Sequence, residues 1–274
     1  MNGQLILSTW VEPGELPIMV TRAHHLTVDR HSHDFYELVF VREGFCLHDV
    51  DDKATLLMEG DLFLIRPGKY HRYSGNRVVN IVNCLFAADQ LCESLRPHPV
   101  FAVEGEVPRI HLELNERKSV MRLLTEMMAE VTERQPGWEV KLQGLLDVLL
   151  VDYGRMYSRR LGPDGQSQLY SGYAMRALAY IEKHYAQDIS VREIAGVVGV
   201  SGDHLARQFK QMIGIAPLEY IRRYRLSRAM EMLGQHASVT VVARDVGFGS
   251  LAHFSREFKK ELGLTPSQYR NQNQ

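Results

Sequence analysis

The sequence predicts an α+β protein: an N-terminal β-barrel carrying a pair of helices, then an all-α domain with two helix-turn-helix units. Three observations predict it. Short β-branched and aromatic runs fill the first 92 residues, the apolar period becomes helical between residues 115 and 159, and the last third contains an internal repeat.

In chain order, residues 35–41 (FYELVFV), 61–65 (DLFLI) and 78–86 (VVNIVNCLF) read as strands, with Gly44, Asp51-Asp52, Gly60, Pro67-Gly68 and Gly75-Asn76 as punctuation. Short strands at this spacing suit a barrel or sandwich. Val120, Leu123, Leu124, Met127, Met128 and Val131 then recur at helical spacing. A second helix follows Pro136-Gly137, with Leu142, Leu145, Leu146, Leu149 and Leu150 on its apolar side. Residues 161–168 (LGPDGQSQ) are rich in turn formers and read as a linker between a domain of residues 1–160 and one of residues 169–274.

The bulk composition narrows the class. With 45% hydrophobic and 24% charged residues in 274, the chain is that of a globular protein. Three cysteines, Cys46, Cys84 and Cys92, form no disulfide framework. The N-terminus lacks the basic flank and apolar core of a signal peptide, and no run approaches the ~18 apolar residues of a membrane span. The expectation is a cytoplasmic protein without a membrane partner. The formal charge of −1 is unevenly placed: residues 169–274 carry +5 and the remainder −6. Only the C-terminal third is suited to a polyanion.

The repeat gives that third its chemistry. Residues 194–200 (IAGVVGV) align with 242–248 (VARDVGF). One residue inserted in the turn then places Ser201, His204, Arg207, Phe209, Lys210, Gly214, Pro217 and Tyr220 on Ser250, His253, Arg256, Phe258, Lys259, Gly263, Pro266 and Tyr269. Each copy reads as a helix-turn-helix. Ala195 and Ala243 allow close crossing, Gly199 and Gly247 suit a left-handed turn, and Ser201 and Ser250 suit N-caps. In each second helix the apolar stripe (Leu205, Phe209 and Met212, or Phe254, Phe258 and Leu262) opposes a polar face: Asp203, Arg207 and Lys210, or Ala252, Arg256 and Lys259. Such a helix fits a major groove, with arginine donating to guanine. His204, His253, Lys210 and Lys259 are assigned to packing or to phosphates rather than to base reading. Residues 218–233 form a helix joining the two units.

The wording of residues 241–270 (G-F-x-S, F-S-R-x-F-K-K, G-x-T-P-S-x-Y-R) resembles the signature of the AraC/XylS family of transcriptional regulators, and the resemblance extends over about residues 172–270. It implies double-stranded promoter DNA read in adjacent major grooves, and recruitment of RNA polymerase. Carried over by position, base contacts come from Asp203, Ala206 and Arg207 in the first unit. In the second they come from Leu251, Ala252, His253 and Arg256. The small and apolar residues at Ala206, Leu251 and Ala252 depart from polar readers and leave base specificity open.

In the N-terminal half, His31-x-His33-x3-Glu37-x6-Gly44 resembles the first motif of the cupin barrel, and Gly60, Pro67-Gly68 and His71 resemble the second. The fuller wording is similar to the ligand domains of AraC-type rhamnose regulators, which implies a small-molecule effector, a sugar. His31, His33, Glu37 and His71 are competent ligands for Zn, Ni, Fe or Cu. The same side chains also suit hydrogen bonding to a polyol, or a satisfied structural cluster, and the three readings stay open. Arg22, Tyr70 and Tyr73 are candidates for the pocket mouth. An enzyme, as some cupins are, is the alternative, although no further acid–base pair is evident. Finally, the faces formed by Val120, Leu124, Met127 and Val131, and by Leu142, Leu145 and Leu149, are wide enough to pair two chains into a homodimer or to cover the open side of the barrel.

Overall fold

The computed structural model describes residues 3–9, 11, 14–24, 28–51, 53–74, 79–101, 107–160, 173–235 and 237–272. The chain divides into two compact units between Ser167 and Gln168. The proposed linker, residues 161–168, lies outside the described residues.

The first unit contains strands β1 (Gly3–Leu5), β2 (Ile18–His24), β3 (Val28–His33), β4 (Tyr36–Glu43), β5 (Phe45–Val50), β6 (Lys53–Met58), β7 (Asp61–Ile65), β8 (His71–Ser74), β9 (Asn80–Phe86) and β10 (Arg109–His111). They are followed by helices α1 (Leu114–Glu133) and α2 (Trp138–Ser158). The strands form two five-stranded sheets, in the orders β1-β3-β8-β5-β6 and β10-β7-β4-β9-β2. Among the described residues no ladder joins the sheets, so the β-rich domain is two packed sheets rather than a closed barrel. They face one another: Cys46, Leu57 and Tyr73 of the first share one buried cluster with Val39, Val41, Phe63, Ile65 and Ile81 of the second.

The second sheet is covered on its other face as well. Six successive residues of β4, Tyr36 to Val41, and all five of β7 are buried. Consecutive burial of that kind requires a layer on each side. The outer layer is α1, which packs on β2, and α2, which packs on β10. This corrects the dimer expectation. Val120, Leu124, Met127, Leu142 and Leu149 are all within 1% of complete burial inside the unit, and Val131 and Leu145 are half-buried. These stripes are the roof of the sheet, the other use their width allowed, and of the seven residues only Val131 and Leu145 keep part of their surface.

The second unit comprises α3 (Tyr173–His184), α4 (Val191–Val198), α5 (Gly202–Ile213), α6 (Pro217–Gly234), α7 (Val239–Asp245), α8 (Leu251–Leu262) and α9 (Pro266–Gln272). The pairs α4–α5 and α7–α8 are the two helix-turn-helix units, joined by α6. Gly199 and Gly247 hold the turns at φ of +81° and +86°, a region costly for any residue with a Cβ. Ser201 Oγ accepts from His204 N–H at 3.3 Å, and Ser250 Oγ accepts from His253 N–H at 3.2 Å. Both reading helices, α5 and α8, are therefore capped as their sequences require. Leu205, Phe209, Phe254 and Phe258 are fully buried beneath them; the side chain of Met212 lies outside the described residues.

Candidate functional site

Two sites are built, one in each unit. In the first unit, β3, β4 and β8 bring His33, Glu37 and His71 together between the sheets. One ligand atom from each lies within 4.8 Å of the others, and all three residues are buried. Alternation sets this up: Glu37 pairs with Ile65 and Leu85 across the ladder and shares the inner face with Val39 and Val41. Glu37 Oε2 lies 3.4 Å from His33 Nε2 and 3.7 Å from His71 Nε2.

The tautomers follow from the partners. His33 Nδ1–H donates to the Phe35 carbonyl at 2.7 Å. With Nδ1 committed to that carbonyl, His33 turns its Nε2 towards the Glu37 carboxylate. Polar atoms buried this deeply need hydrogen-bonding partners or a cation. His33 Nε2, His71 Nε2, Tyr73 Oη and Asn83 Oδ1 are all buried without a hydrogen-bond partner. Burial, then the neighbouring His48, His31 and His33, keep the His71 imidazole pKa far below its usual value, so it is neutral. Burial, then Glu37 and Cys46, push the Tyr73 phenol well up, so it keeps its proton.

His31 is only partly drawn in. Its ring lies 4.2 Å from that of His71, but Nδ1 is taken up by the Asp29 carbonyl at 2.8 Å. It is not one of the three clustered ligands, which corrects the four-ligand set. Arg22 is also corrected. It pairs with Val82, three positions from the Leu85 that faces Glu37, so it projects from the opposite face of the sheet and is exposed. Tyr70 is exposed, with the Arg30 guanidinium 5.4 Å from its ring centre. Tyr73 joins the cluster.

Two members were missed from the sequence. His48 on β5 is 3% exposed, stacks on Tyr73 at 4.6 Å, and places Nε2 3.3 Å from His71 Nδ1. Burial, then Arg109 and His31, lower its pKa to about 3, so it too is neutral. Asn83 of β9 pairs with Val39 and so shares the inner face with Glu37. The signal for His48 was its two-residue spacing from Cys46 in a short run, residues 45–50, bracketed by the Gly44 and Asp51-Asp52 turn markers.

Nearby, Asp61 anchors the helices to the sheet. It is fully buried; Oδ2 accepts from Met58 N–H and from Arg109, each at 2.7 Å, and Oδ1 accepts from His111 at 3.0 Å. Arg117 of α1 donates to His111 Nε2 at 2.9 Å and pairs with Glu59 at 3.1 Å.

In the second unit, Arg207, Lys210, Arg256 and Lys259 are exposed on α5 and α8, as are Ser201, Asp203, Ser250, Leu251, Ala252 and His253; Ala206 and His204 are half-buried. His204 Nδ1 lies 3.4 Å from Arg207 Nη2. His253 packs edge-on against Phe248 at 5.5 Å and lies 4.0 Å from Glu257. Within the second unit, Arg222 of α6 pairs with Glu219 and Glu261 at 2.6 Å each and with Glu257 at 3.3 Å.

Residues 13–150 match the AraC-like ligand binding domain family and residues 194–272 the helix-turn-helix domain family. The HTH-type transcriptional activator RhaS of Klebsiella pneumoniae (strain 342) is 28% identical over 250 residues, covering 88% of this chain and 86% of that one. The activator RhaR of Shigella dysenteriae serotype 1 (strain Sd197) is 27% identical, covering 89% and 87%. Among solved structures, the C-terminal domain of AraT, a response regulator from Geobacillus stearothermophilus, is 32% identical and covers 41% of this chain and 88% of its own, with a TM-score of 0.36. No described helix is long and apolar enough to cross a membrane.

Proposed function

Because the chain belongs to the AraC family of transcriptional regulators, we propose that it is a sugar-responsive activator of carbohydrate-utilisation genes. In this reading the first unit takes up a small sugar, the two helix-turn-helix units bind promoter DNA, and the protein works with RNA polymerase in the cytoplasm, not as an enzyme. The observation that carries the sugar reading is the set of unpartnered buried polar atoms around Glu37: His33 Nε2, His71 Nε2, Tyr73 Oη and Asn83 Oδ1. Each costs on the order of 1–3 kcal/mol while unsatisfied. A polyol offers several hydroxyls, so one O–H can donate to His33 Nε2 and another to the Glu37 carboxylate. Val39, Val41 and Phe63, packed in the core beside the cluster, make its surroundings apolar.

A metal ion is the second reading, supported by the proximity of His33, Glu37 and His71. Those three suit a divalent transition metal with an open position. A metal held there would leave Tyr73 and Asn83 unsatisfied, which favours the polyol.

With the inner stripes used for packing, homodimerisation falls to the outer face of α2. There Val140 (80% exposed), Gly144 and Val148 (50% exposed) form a stripe with open space over Gly144. Antiparallel pairing about Gly144 sets Val140 against Val148 and Lys141 against Asp147 of the second copy.

Thermal unfolding of the full chain against a panel of pentoses and deoxyhexoses, with and without chelator, tests the effector. A sugar at 100 times its Kd adds about 2.7 kcal/mol. Stabilisation that survives chelation supports the polyol. Loss of stability on chelation, without a sugar response, replaces it with the metal. Consumption of the sugar on prolonged incubation would make the first unit an enzyme.

A further inference from the structure

The two reading helices differ where a helix-turn-helix first meets the bases. After their N-cap serines, α5 begins Gly202-Asp203 and α8 begins Leu251-Ala252. Leu251 is 43% exposed and Ala252 is exposed. The rest of the outward face of α8 carries cations: Arg256, Lys259 and Lys260 are exposed. Its two acids are withdrawn, because Glu257 and Glu261 are bound at 3.3 Å and 2.6 Å by Arg222 of α6. The result is an apolar tip on a face stripped of negative charge. Duplex DNA complements the charge, and in the major groove the apolar feature of the base edges is the 5-methyl of thymine.

We propose that the second unit recognises thymines through their 5-methyl groups, with Leu251 and Ala252 in contact with them, while the first unit does not. This rests on the DNA-binding reading above and goes on to name the base chemistry. The N-terminal residues of a reading helix approach the base edges. At the place of Ala252 the first unit has Asp203, whose exposed carboxylate is repelled by phosphates and accepts from a base amino group, as on cytosine. At this position the two units therefore present opposite chemistries, and each serves as the control for the other.

The test uses the full chain. A preferred duplex is selected from a random pool, and the half bound by the second unit is identified by loss of protection on Arg256→Ala. Each thymine is then replaced by deoxyuridine, which removes the methyl and keeps the pairing. One or two substitutions in that half should weaken binding about fourfold each, the worth of one buried methyl-sized group. Substitutions in the other half should change nothing. Leu251→Ala should abolish sensitivity at one position, and Asp203→Ala should leave it intact. A preferred sequence bound equally with and without the methyls would overturn the proposal and leave DNA reading standing. Uracil sensitivity that persists in both Leu251→Ala and Ala252→Gly would overturn the residue assignment. Failure to enrich any sequence would overturn the DNA reading itself.

Discussion

Gly199 and Gly247 occupy the same place in the two turns, at nearly the same φ, and their surroundings differ. A Cβ at Gly199 meets nothing within 4 Å, whereas a Cβ at Gly247 would lie 2.6 Å from the Ala186 carbonyl oxygen and 2.8 Å from its carbon. Replacing either by alanine forces a left-handed backbone on a residue with a side chain, at about 1–2 kcal/mol. Only Gly247→Ala adds a clash with backbone. That backbone has little room to yield, because Arg225 holds the Tyr185 and Gln187 carbonyls on either side of Ala186 at 2.7 Å each. Overpacking of this kind costs roughly a further 1–3 kcal/mol. For a unit of about 100 residues, 1 kcal/mol corresponds to about 4–8 °C in Tm. Gly247→Ala should therefore melt at least about 4 °C below Gly199→Ala. Calorimetry of the full chain, following the transition that promoter DNA raises, measures the difference. Equal shifts for the two variants would refute the claim that Ala186 crowds the second turn.

Other perturbations have directions set by the structure. Asp61→Ala removes an acceptor shared by Met58 N–H, Arg109 and His111, and should cost about 3–5 kcal/mol in urea unfolding; a loss below 1 kcal/mol would show that the network is dispensable. Burial alone would raise the Glu219 carboxyl, but hydrogen bonds and charge from Arg222, then Arg223, hold it below the usual range. A depressed folded pKa stabilises above the unfolded value of 4.5 and loses that contribution as pH falls through the folded value. Glu219→Gln should accordingly flatten the acid limb of the second unit's stability profile. Val148→Glu should dissociate the proposed dimer in sedimentation without lowering Tm, whereas Leu149→Glu, at a fully buried site, should unfold the first unit. Arg256→Ala should cost about 1–3 kcal/mol on specific DNA and less on random duplex, while Lys259→Ala should flatten the salt dependence with little change in preference.

The second unit was legible because its determinants are local. A glycine four residues after a small residue, a serine at the cap and an apolar stripe at helical spacing each act within one turn of the chain. The repeat then supplied a second reading of the same pattern. The misassigned dimer faces show where such locality ends. A helical stripe states that a face is buried, not what buries it. Residues 38–41 (LVFV) and 62–65 (LFLI) held the missing information. A strand apolar at every position is covered on both sides, and α1 and α2 are the elements that follow it in the chain to provide the second cover.

The pocket divides in the same way. The spacing of His31 and His33 puts both rings on one face of β3, and the period of two carries Glu37 to the same interior. Ring rotation is decided by carbonyls that no spacing rule encodes. Asp29 and Phe35 each take the Nδ1–H of one histidine, yet only His33 then presents Nε2 to Glu37. That difference turns an apparent four-ligand set into three ligands with two further orphaned polar atoms, Tyr73 Oη and Asn83 Oδ1. Three ligands alone would suit a metal, whereas five polar groups of mixed donor and acceptor character would suit the proposed partner with several hydroxyls. If Tyr73→Phe and Asn83→Leu each stabilise the unliganded chain and each weaken sugar binding, those two atoms are held unsatisfied for the effector. Stabilisation without any loss of binding would show instead that the effector never reaches them.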